Sequence, residues 1–459
     1  MLFFEIQFHT FEENAGFVKF GYKLREIKLF RHFNYGKVKE KSHPPSKKDG
    51  QSGGKHMTSG HKAWKVLVTL CGLSAATIGV SINTSGVFYG VVSEALGIYR
   101  GSFAFHMTIF SIVTAIAGLF VIKLLEKVPF KLLMWVSIAV GFASTALMGM
   151  ATQLWQFYLL SFLRGFSTGM FSIMTLTYII NYWFNEKNGL ATSITLSFSG
   201  IIGALISPVL AKVIQSQGWQ FAFLVQALIF LAFCLPALLF PFKLDPRQEG
   251  LTAYGFKEKE EVVDELTDLE PTSHFAINST LIAMIIFGVS LSFITSMAQH
   301  FPGFAETLNL DVTVGASLLS MAMLGNILSK LAVGFLSDKI GAIKANFVLI
   351  FALTLGILLL IIGKTPSLLM PGAFLLGASF GILAVATPLI TRHIYGVNDY
   401  GKAYPLIGFA SNLGAAIAFS AIGFIYDFTK SYYPSLFLFL ALIAIGSFAV
   451  IYANKKGKA

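Results

Sequence analysis

The sequence predicts an all-α protein that crosses a membrane many times. Of its 459 residues, 55% are hydrophobic and only 12% are charged, and the mean hydropathy is +0.70. A soluble domain carries about 25% charged residues. The apolar residues stand in blocks of about 20, which is enough for a helix to cross a hydrocarbon core of about 30 Å. Lipid, and not water, is therefore the expected solvent.

The apolar blocks form two groups of six on either side of a polar segment. Residues 244–274 hold more acidic than basic side chains, which is typical of a solvated linker. We expect twelve transmembrane helices in two pseudo-symmetric six-helix bundles, 63–243 and 275–453, followed by a basic tail at 454–459. The predicted spans are 63–91, 102–124, 132–151, 155–183, 189–214, 219–243, 275–302, 312–337, 343–363, 366–392, 402–427 and 432–453.

The distribution of basic residues predicts the orientation in the membrane. With the N-terminus in the cytoplasm, eleven Lys and Arg residues flank the spans on the cytoplasmic side. Four lie outside, namely Arg100, Lys212, Lys364 and Lys430. Short basic loops resist translocation. Both termini and the linker are therefore predicted in the cytoplasm, with the protein in the plasma membrane.

The first 62 residues form a basic extension of different character. They hold twelve Lys and Arg against six Asp and Glu, more than half of the net charge of +11, so the charge does not indicate a nucleic-acid partner. Residues 1–56 lack the hydropathy of the rest, which predicts disorder. Gly53–Met57 can be encoded by a purine-rich stretch before a start codon, and our hypothesis is that translation begins at Met57. The alternative is a basic tail that binds anionic lipid.

The most specific motif lies between the eighth and ninth spans, at Gly334-Phe-Leu-Ser-Asp338-Lys339-Ile-Gly341-Ala-Ile-Lys344. It resembles the signature loop of the major facilitator superfamily. Such a charge cluster at the cytoplasmic face can latch the two halves in an outward-open state and release them when they rock, although an ordinary basic turn is the alternative. The first half has a degraded copy that lacks the Asp. Its latch candidates are Lys123, Glu126 and Lys127.

Other stretches resemble the same superfamily. The fourth span contains Arg164-Gly-Phe-Ser-Thr-Gly169, and the eleventh ends in Gly423-Phe-Ile-Tyr-Asp427. A helix-packing motif in the fifth span comprises Gly200, Gly203 and Pro208. The resemblance implies the major facilitator fold, with a substrate site between the halves at mid-membrane, and no cofactor or metal. A monomer is expected.

A branch of that superfamily is also suggested. Val87–Gly90, Arg100-Gly101 and Gly218-Trp219 are similar to the monocarboxylate-transporter and oxalate:formate-antiporter branch. In that branch a basic residue of the eighth span binds the substrate carboxylate. The resemblance gives this role to Lys330, with Asn326 one turn before it. The eleventh span offers Ser411 and Asn412 instead of an interior Lys.

The charges inside the spans favour an anionic substrate. Lys330 lies eight residues before Asp338, about 12 Å along a helix. An ammonium group at that depth costs about 3 kcal/mol or more, so it should face a cavity and meet an anion. A structural hydrogen bond to a carbonyl is the alternative. Arg164, also deep, can brace a helix, relay protons or bind substrate. No Asp or Glu lies at mid-depth in any predicted span.

These observations predict a secondary transporter of a small solute, and not an enzyme. An organic anion is the expected substrate, moved by alternating access with a proton or a counter-anion. A multidrug efflux carrier and a non-transporting membrane sensor are the alternatives. No phosphate-binding Gly-rich loop, metal-ligand spacing or nucleophile motif is present, which disfavours ATP-driven transport and hydrolysis.

Overall fold

The computed structural model describes residues 59–125, 127–171, 173–240, 242–255 and 278–456. The predictions for residues 1–58, for Glu126, for linker residues 256–274 and for the last residues of the tail lie outside these ranges. Within them the protein is built from helices, as the long apolar blocks predict.

The described part of the first half contains seven α-helices. α1 (Ser59–Ser74) continues as a π-helix (Ala75–Val80) and a 3-10 turn (Ser85–Phe88) into α2 (Tyr89–Leu96). The remaining helices are α3 (Arg100–Leu125), α4 (Phe130–Met148), α5 (Leu154–Gly169), α6 (Ile173–Trp183) and α7 (Asn188–Leu239).

The second half, as described from residue 278 to residue 456, contains eight α-helices, several of them continuous with short irregular turns. α8 (Ser279–Ser296) continues as a 3-10 turn (Met297–His300) into α9 (Phe301–Thr307). α10 (Val312–Ile340) and α11 (Ala342–Ile362) follow. Next come α12 (Pro366–Leu376), α13 (Ala378–Gly381), a π-helix (Ile382–Ala386), α14 (Thr387–Thr429) and α15 (Tyr433–Lys456).

Ten helices in the described ranges are long and apolar enough to cross a membrane. One of them, Leu190–Leu239, has 50 residues and covers two predicted spans. Gly218 interrupts it with φ 84° and ψ 164°, values that a residue with a side chain rarely adopts. The predicted fourth span is divided into α5 and α6, which separate after Gly169.

Each half of the chain has a hydrophobic core of its own. One core is drawn from Ala63 to Phe242, and another from Leu281 to Ala453, with Ala204 as its one member from the first half. A third core lies mostly in the first half but includes Ala316 and Phe419. Helices that bury their apolar faces mainly within one half can move with that half as a unit.

The beginning of the linker packs on the first half. Tyr254 donates its backbone N–H to Trp183 O at 2.8 Å and accepts from Asn185 N at 2.9 Å. The Trp183 indole donates to Lys243 O at 3.2 Å, and Lys62 forms an ion pair with Glu249. The expected solvated linker is therefore held against the ends of α1 and α6 as far as Gly255.

Candidate functional site

Lys330 lies on the inner side of α10. The outer side of this helix is marked by large apolar side chains between 44% and 62% exposed, namely Leu324, Leu328, Leu331 and Phe335. At 3.6 residues per turn, Lys330 lies on another face, away from this stripe. It is half-buried, and no hydrogen bond or ion pair to its ammonium group is formed within the described ranges. A cation inside the bundle is thus left without an anion.

Asn326 lies one turn from Lys330, at the contact between the two halves. Its side chain is buried, and its Oδ1 atom has no hydrogen-bond partner among the described residues. A Cβ atom on Gly200 of α7 would lie 3.2 Å from Ile327 and 3.7 Å from Asn326 Nδ2. Gly200 therefore lets α7 approach α10 closely, while Gly203, one turn further, packs on Asn83 of the first half. Pro208 lies inside α7.

Asn412 is exposed on α14, on the face that approaches α3. One turn further along that face, Thr108 of α3 donates to Ala416 O at 2.6 Å and lies 2.7 Å from Ser420 Oγ. Helices α3 and α14 are in contact at Thr108, whereas the side chain of Asn412 remains exposed. No contact joins Asn412 to Lys330.

Arg164 has its contacts within the first half. Its side chain is 2% exposed, its Nη2 donates to Ser81 O at 3.1 Å, and its guanidinium lies 5.6 Å from the centre of the Phe110 ring. The structure therefore supports the bracing role among those predicted, and does not bring Arg164 to Lys330.

The bracing serves the irregular stretch between α1 and α2. Ser81 O and Val80 O lie where the π-helix ends, so they lack regular helical partners. Arg164 donates to the first, and Gln226 Nε2 donates to the second at 3.0 Å. Asn83 Nδ2 donates to Ser199 O at 3.3 Å. Helix α5 and the two parts of α7 on either side of Gly218 thus hold an irregular segment inside the bundle, where unsatisfied backbone groups are costly.

The halves meet where this segment touches the 3-10 turn before α9. Gln299 Oε1 accepts hydrogen bonds from Gly86 N and Ser85 Oγ, both at 3.1 Å. A Cβ atom on Gly86 would lie 2.8 Å from Gln299 Cα, so only glycine fits. From this crossing towards Arg100 the halves remain in contact, and we call this the Arg100 end of the bundle. The crossing could not be predicted from the sequence, because a Gly and a Gln in separate halves form no local pattern.

The Arg100 end is closed by charged groups from both halves. Arg100 pairs with Glu306 at 2.6 Å and lies 4.4 Å from the centre of the Tyr426 ring. Asp427 accepts hydrogen bonds from the backbone of Arg100 and Gly101. In the sequence, Arg100-Gly101 and Asp427 are parts of two separate motifs, one in each half. Their contact with each other was not predicted.

A second polar contact at this end joins α7 and α10. Gln215 Nε2 donates to Asp311 Oδ1 at 3.0 Å, and Asp311 also accepts from the backbone and hydroxyl of Thr313. The Thr313 hydroxyl, its backbone N–H and Gln215 lower the pKa of the Asp311 carboxyl. This carboxyl therefore remains charged at neutral pH.

The two buried histidines are held by backbone carbonyls. His106 Nδ1 lies 2.6 Å from Phe103 O, within α3. His300 Nε2 lies 3.0 Å from Phe419 O, between the 3-10 turn before α9 and helix α14. Tyr89 lies between them, with ring centroids 6.1 Å from His106 and 5.2 Å from His300.

The opposite end, which we call the Asp338 end, makes no such closure. Asp338, Lys339 and Lys344 are exposed, and no ion pair joins them to the first half within the described ranges. Gly334 has nothing within 4 Å of its Cβ position. Gly341 has φ 85°, as the predicted sharp turn requires. Lys127 is exposed, and the side chains of Lys123 and Glu126 lie outside the described part.

Comparison with known proteins identifies the family. The chain matches the Major Facilitator Superfamily over residues 71–361 and 301–458. "Multidrug resistance protein MdtG" of Citrobacter koseri is 30% identical over 376 residues, which cover 78% of this chain and 89% of the relative. "Uncharacterized MFS-type transporter YhjX" of Escherichia coli is 23% identical over 350 residues, 73% of this chain and 82% of the relative.

A solved structure shares the fold. The crystal structure of a mutant of the nucleoside transporter NupG superposes with a TM-score of 0.67 at 14% identity, covering 85% of this chain and 99% of that one. None of these relatives is named as a monocarboxylate or oxalate carrier, so the predicted branch is not confirmed. Together, the match along the sequence and the shared fold establish that the chain belongs to the Major Facilitator Superfamily, a family of multi-pass membrane transporters and not enzymes.

Proposed function

We propose that the protein is a secondary transporter that moves a small organic anion by alternating access, with a proton or a counter-anion as the coupled ion. The observation that carries the proposal is Lys330, an ammonium group inside the bundle with no anionic partner within the described ranges. Such a charge costs about 3 kcal/mol or more in a membrane. A substrate carboxylate would offset that cost by pairing with it.

A twelve-span topology is part of this proposal. Ten helices within the described ranges qualify as spans on length and composition. Gly218 divides Leu190–Leu239, whose 50 residues are about 75 Å long as a straight helix, into two spans. α5 and α6 together supply the remaining one. The basic residues around the spans support cytoplasmic termini in a bacterial inner membrane, which places the Arg100 end outside.

With that orientation, the closed Arg100 end faces the outside. We infer that the Asp338 end, where no ion pair joins the halves within the described ranges, is open to the cytoplasm. The closed end carries Arg100, Glu306 and Asp311, and the open end carries Asp338 and Lys344. We propose that the Asp338 loop acts as the predicted latch only in the opposite, outward-open state. Its exposed charges then contact the first half, which explains why they are unpaired here.

Removing the charge of Lys330 tests the substrate. Hydrogen bonds to charged groups contribute about 1.5–3 kcal/mol, so Lys330→Gln should weaken anion binding by about 10- to 100-fold. Lys330→Arg should retain most of it. The measurement is uptake of labelled monocarboxylates into proteoliposomes, with Lys364→Gln, an exposed lysine in a loop, as the matched control.

A thermal-stability measurement separates this role from a structural one. If the ammonium group of Lys330 has an anionic partner only when substrate is bound, it destabilises the substrate-free protein. Lys330→Met should then raise the Tm of the substrate-free protein. A lysine that braces carbonyls should lower the Tm when it is replaced. Unchanged anion uptake by Lys330→Gln would refute the anion site.

Multidrug efflux is the second candidate, and it is supported by the relatives named MdtG at 30% identity. A carrier of cationic or neutral amphiphiles has no need of Lys330. Under this alternative, proteoliposomes would export cationic dyes, and Lys330→Gln would leave export unchanged or increase it, because it removes a repelling charge.

A further inference from the structure

The contact between Asp427 and α3 joins the two halves at the Arg100 end. Asp427 Oδ1 accepts from Arg100 N at 3.0 Å, and Oδ2 accepts from Gly101 N at 2.7 Å. Both donors are the first N–H groups of α3, which have no partner inside their own helix. The Asp427 carboxylate, in the second half, therefore caps the N-terminus of α3, in the first half.

The position of this contact favours a strong interaction. Asp427 is 7% exposed, and its negative charge lies at the positive end of the α3 dipole. Charge-assisted hydrogen bonds are shorter and stronger than neutral ones. The helices also approach closely, since a Cβ atom on Gly101 would lie 2.6 Å from the Phe424 ring. A shift of either helix would break both hydrogen bonds together.

The side chain of Arg100 extends the contact to two further elements. Its Nη2 pairs with Glu306 of α9, and its guanidinium stacks over Tyr426 of α14. Arg100 therefore uses its backbone on Asp427 and its side chain on Glu306 and Tyr426. We call the group Arg100, Gly101, Glu306, Tyr426 and Asp427 the Arg100 gate.

We propose that the Arg100 gate holds the Arg100 end closed, and that Asp427, by capping α3 across the two halves, contributes most to it. The inference rests on the proposed function in one respect: the carrier must alternate between two states. Opening exposes Asp427 and the α3 N–H groups to water, which satisfies the same atoms. The closed state is thus favoured by a modest margin and can be reversed in each cycle.

The contributions within the gate have a definite order. The Glu306 side chain is 45% exposed, so water and salt screen its ion pair with Arg100. Asp427 is buried and makes two hydrogen bonds. Loss of the Asp427 charge should therefore open the gate more than loss of the Glu306 charge.

Thiol crosslinking measures closure without any substrate. The rings of Tyr99 and Phe428 are 6.5 Å apart in the closed state, one from each half. A chain with Tyr99→Cys and Phe428→Cys, and with Cys71 and Cys234 replaced by alanine, should be trapped rapidly by a short bismaleimide crosslinker in the purified full-length protein. Both native cysteines are buried and free, so their replacement leaves the Arg100 end untouched.

In this background Asp427→Asn should lower the ratio of closed to open protein by about 10- to 100-fold, and Glu306→Gln by only a few fold. The matched control is Asp399→Asn, an aspartate of the same helix that pairs locally with Lys402. Equal trapping rates for Asp427→Asn and the control would overturn the proposal, as would a larger effect from Glu306→Gln.

Further controls distinguish a misfolded variant, a failure of the gate proposal and a failure of the anion proposal. Thermal unfolding identifies a variant that fails to fold. In that case Asp427→Ser, which also removes the charge, takes the place of Asp427→Asn and should show the same loss of trapping, while Asp427→Glu, which keeps the charge, should retain most of it. Because trapping needs no transported solute, it tests the gate even if the Lys330 experiment refutes the anion substrate. A trapping rate that does not change with Asp427 refutes the gate while leaving the Lys330 result intact.

Discussion

Replacing Gly86 by alanine should prevent the two halves from closing at the Arg100 end. Gly86 lies in the 3-10 turn Ser85–Phe88, and its backbone conformation is open to any L-residue, because its φ is not positive. The added methyl group therefore strains nothing in its own half. It collides only with the other half, 2.7 Å from the carbonyl carbon and 2.8 Å from the Cα of Gln299.

The expected size of the effect follows from the atoms involved. The colliding atoms are backbone, so no side-chain rotation relieves the overlap, and overpacking of this kind costs about 1–3 kcal/mol. The hydrogen bonds from Gly86 N and Ser85 Oγ to Gln299 are also broken in the open state of the wild type, so only the overlap changes the balance between the two states. A cost of about 1–3 kcal/mol in the closed state lowers the ratio of closed to open protein by roughly 5- to 150-fold.

Crosslinker trapping between Tyr99→Cys and Phe428→Cys reports this ratio directly. Gly86→Ala should trap slowly and transport poorly, because the cycle cannot complete its inward-open step. Gly408→Ala is the control, since this helical glycine has nothing within 4 Å of its Cβ position and alanine favours a helix. Wild-type trapping and transport by Gly86→Ala would refute the close crossing of Gly86 and Gln299.

Two further predictions concern the first half alone. Arg164→Met should lower the Tm of the purified protein, because it leaves Ser81 O buried without its donor at a cost of about 1–3 kcal/mol; a transport defect with an unchanged Tm would favour the substrate or proton role instead. Gly203→Val should also destabilise by about 1–3 kcal/mol through overlap with Asn83, which lies 2.6 Å from a Cβ there. It should leave the closed-to-open ratio unchanged, since both residues belong to the same half, and altered trapping would contradict this.

Much of the fold was accessible from the sequence because lipid restricts the chain to few structures. Backbone groups in hydrocarbon must bond within their own segment, so an apolar block of about 20 residues becomes a helix. The Gly218 interruption inside Leu190–Leu239 falls between the predicted spans 189–214 and 219–243. The breaks in the first span, between Ala75 and Phe88, were not predicted, since hydropathy does not distinguish α from π or 3-10 geometry.

The candidate site was predicted only in part. Lys330 and Asn326 share a helix, so their proximity followed from spacing alone. Arg164 lies at a similar predicted depth in the membrane, so depth alone made it an equal candidate for substrate binding. Only the tertiary structure shows its hydrogen bond to Ser81 O, which favours a structural role. The cap of α3 by Asp427 involves residues more than 300 positions apart in sequence, and no local pattern encodes such a pair.

The sequence by itself determined the solvent, the helical class, the superfamily resemblance and the deep cation at Lys330, because each depends on residue type and local spacing. Only the tertiary structure showed which end of the bundle is closed and which residue contacts close it. That choice depends on which residues of the first half meet which of the second, as Gly86 meets Gln299 and Arg100 meets Asp427 and Glu306. Such contacts hold in one conformation of a carrier and must be broken in the other, whereas the sequence is the same in both.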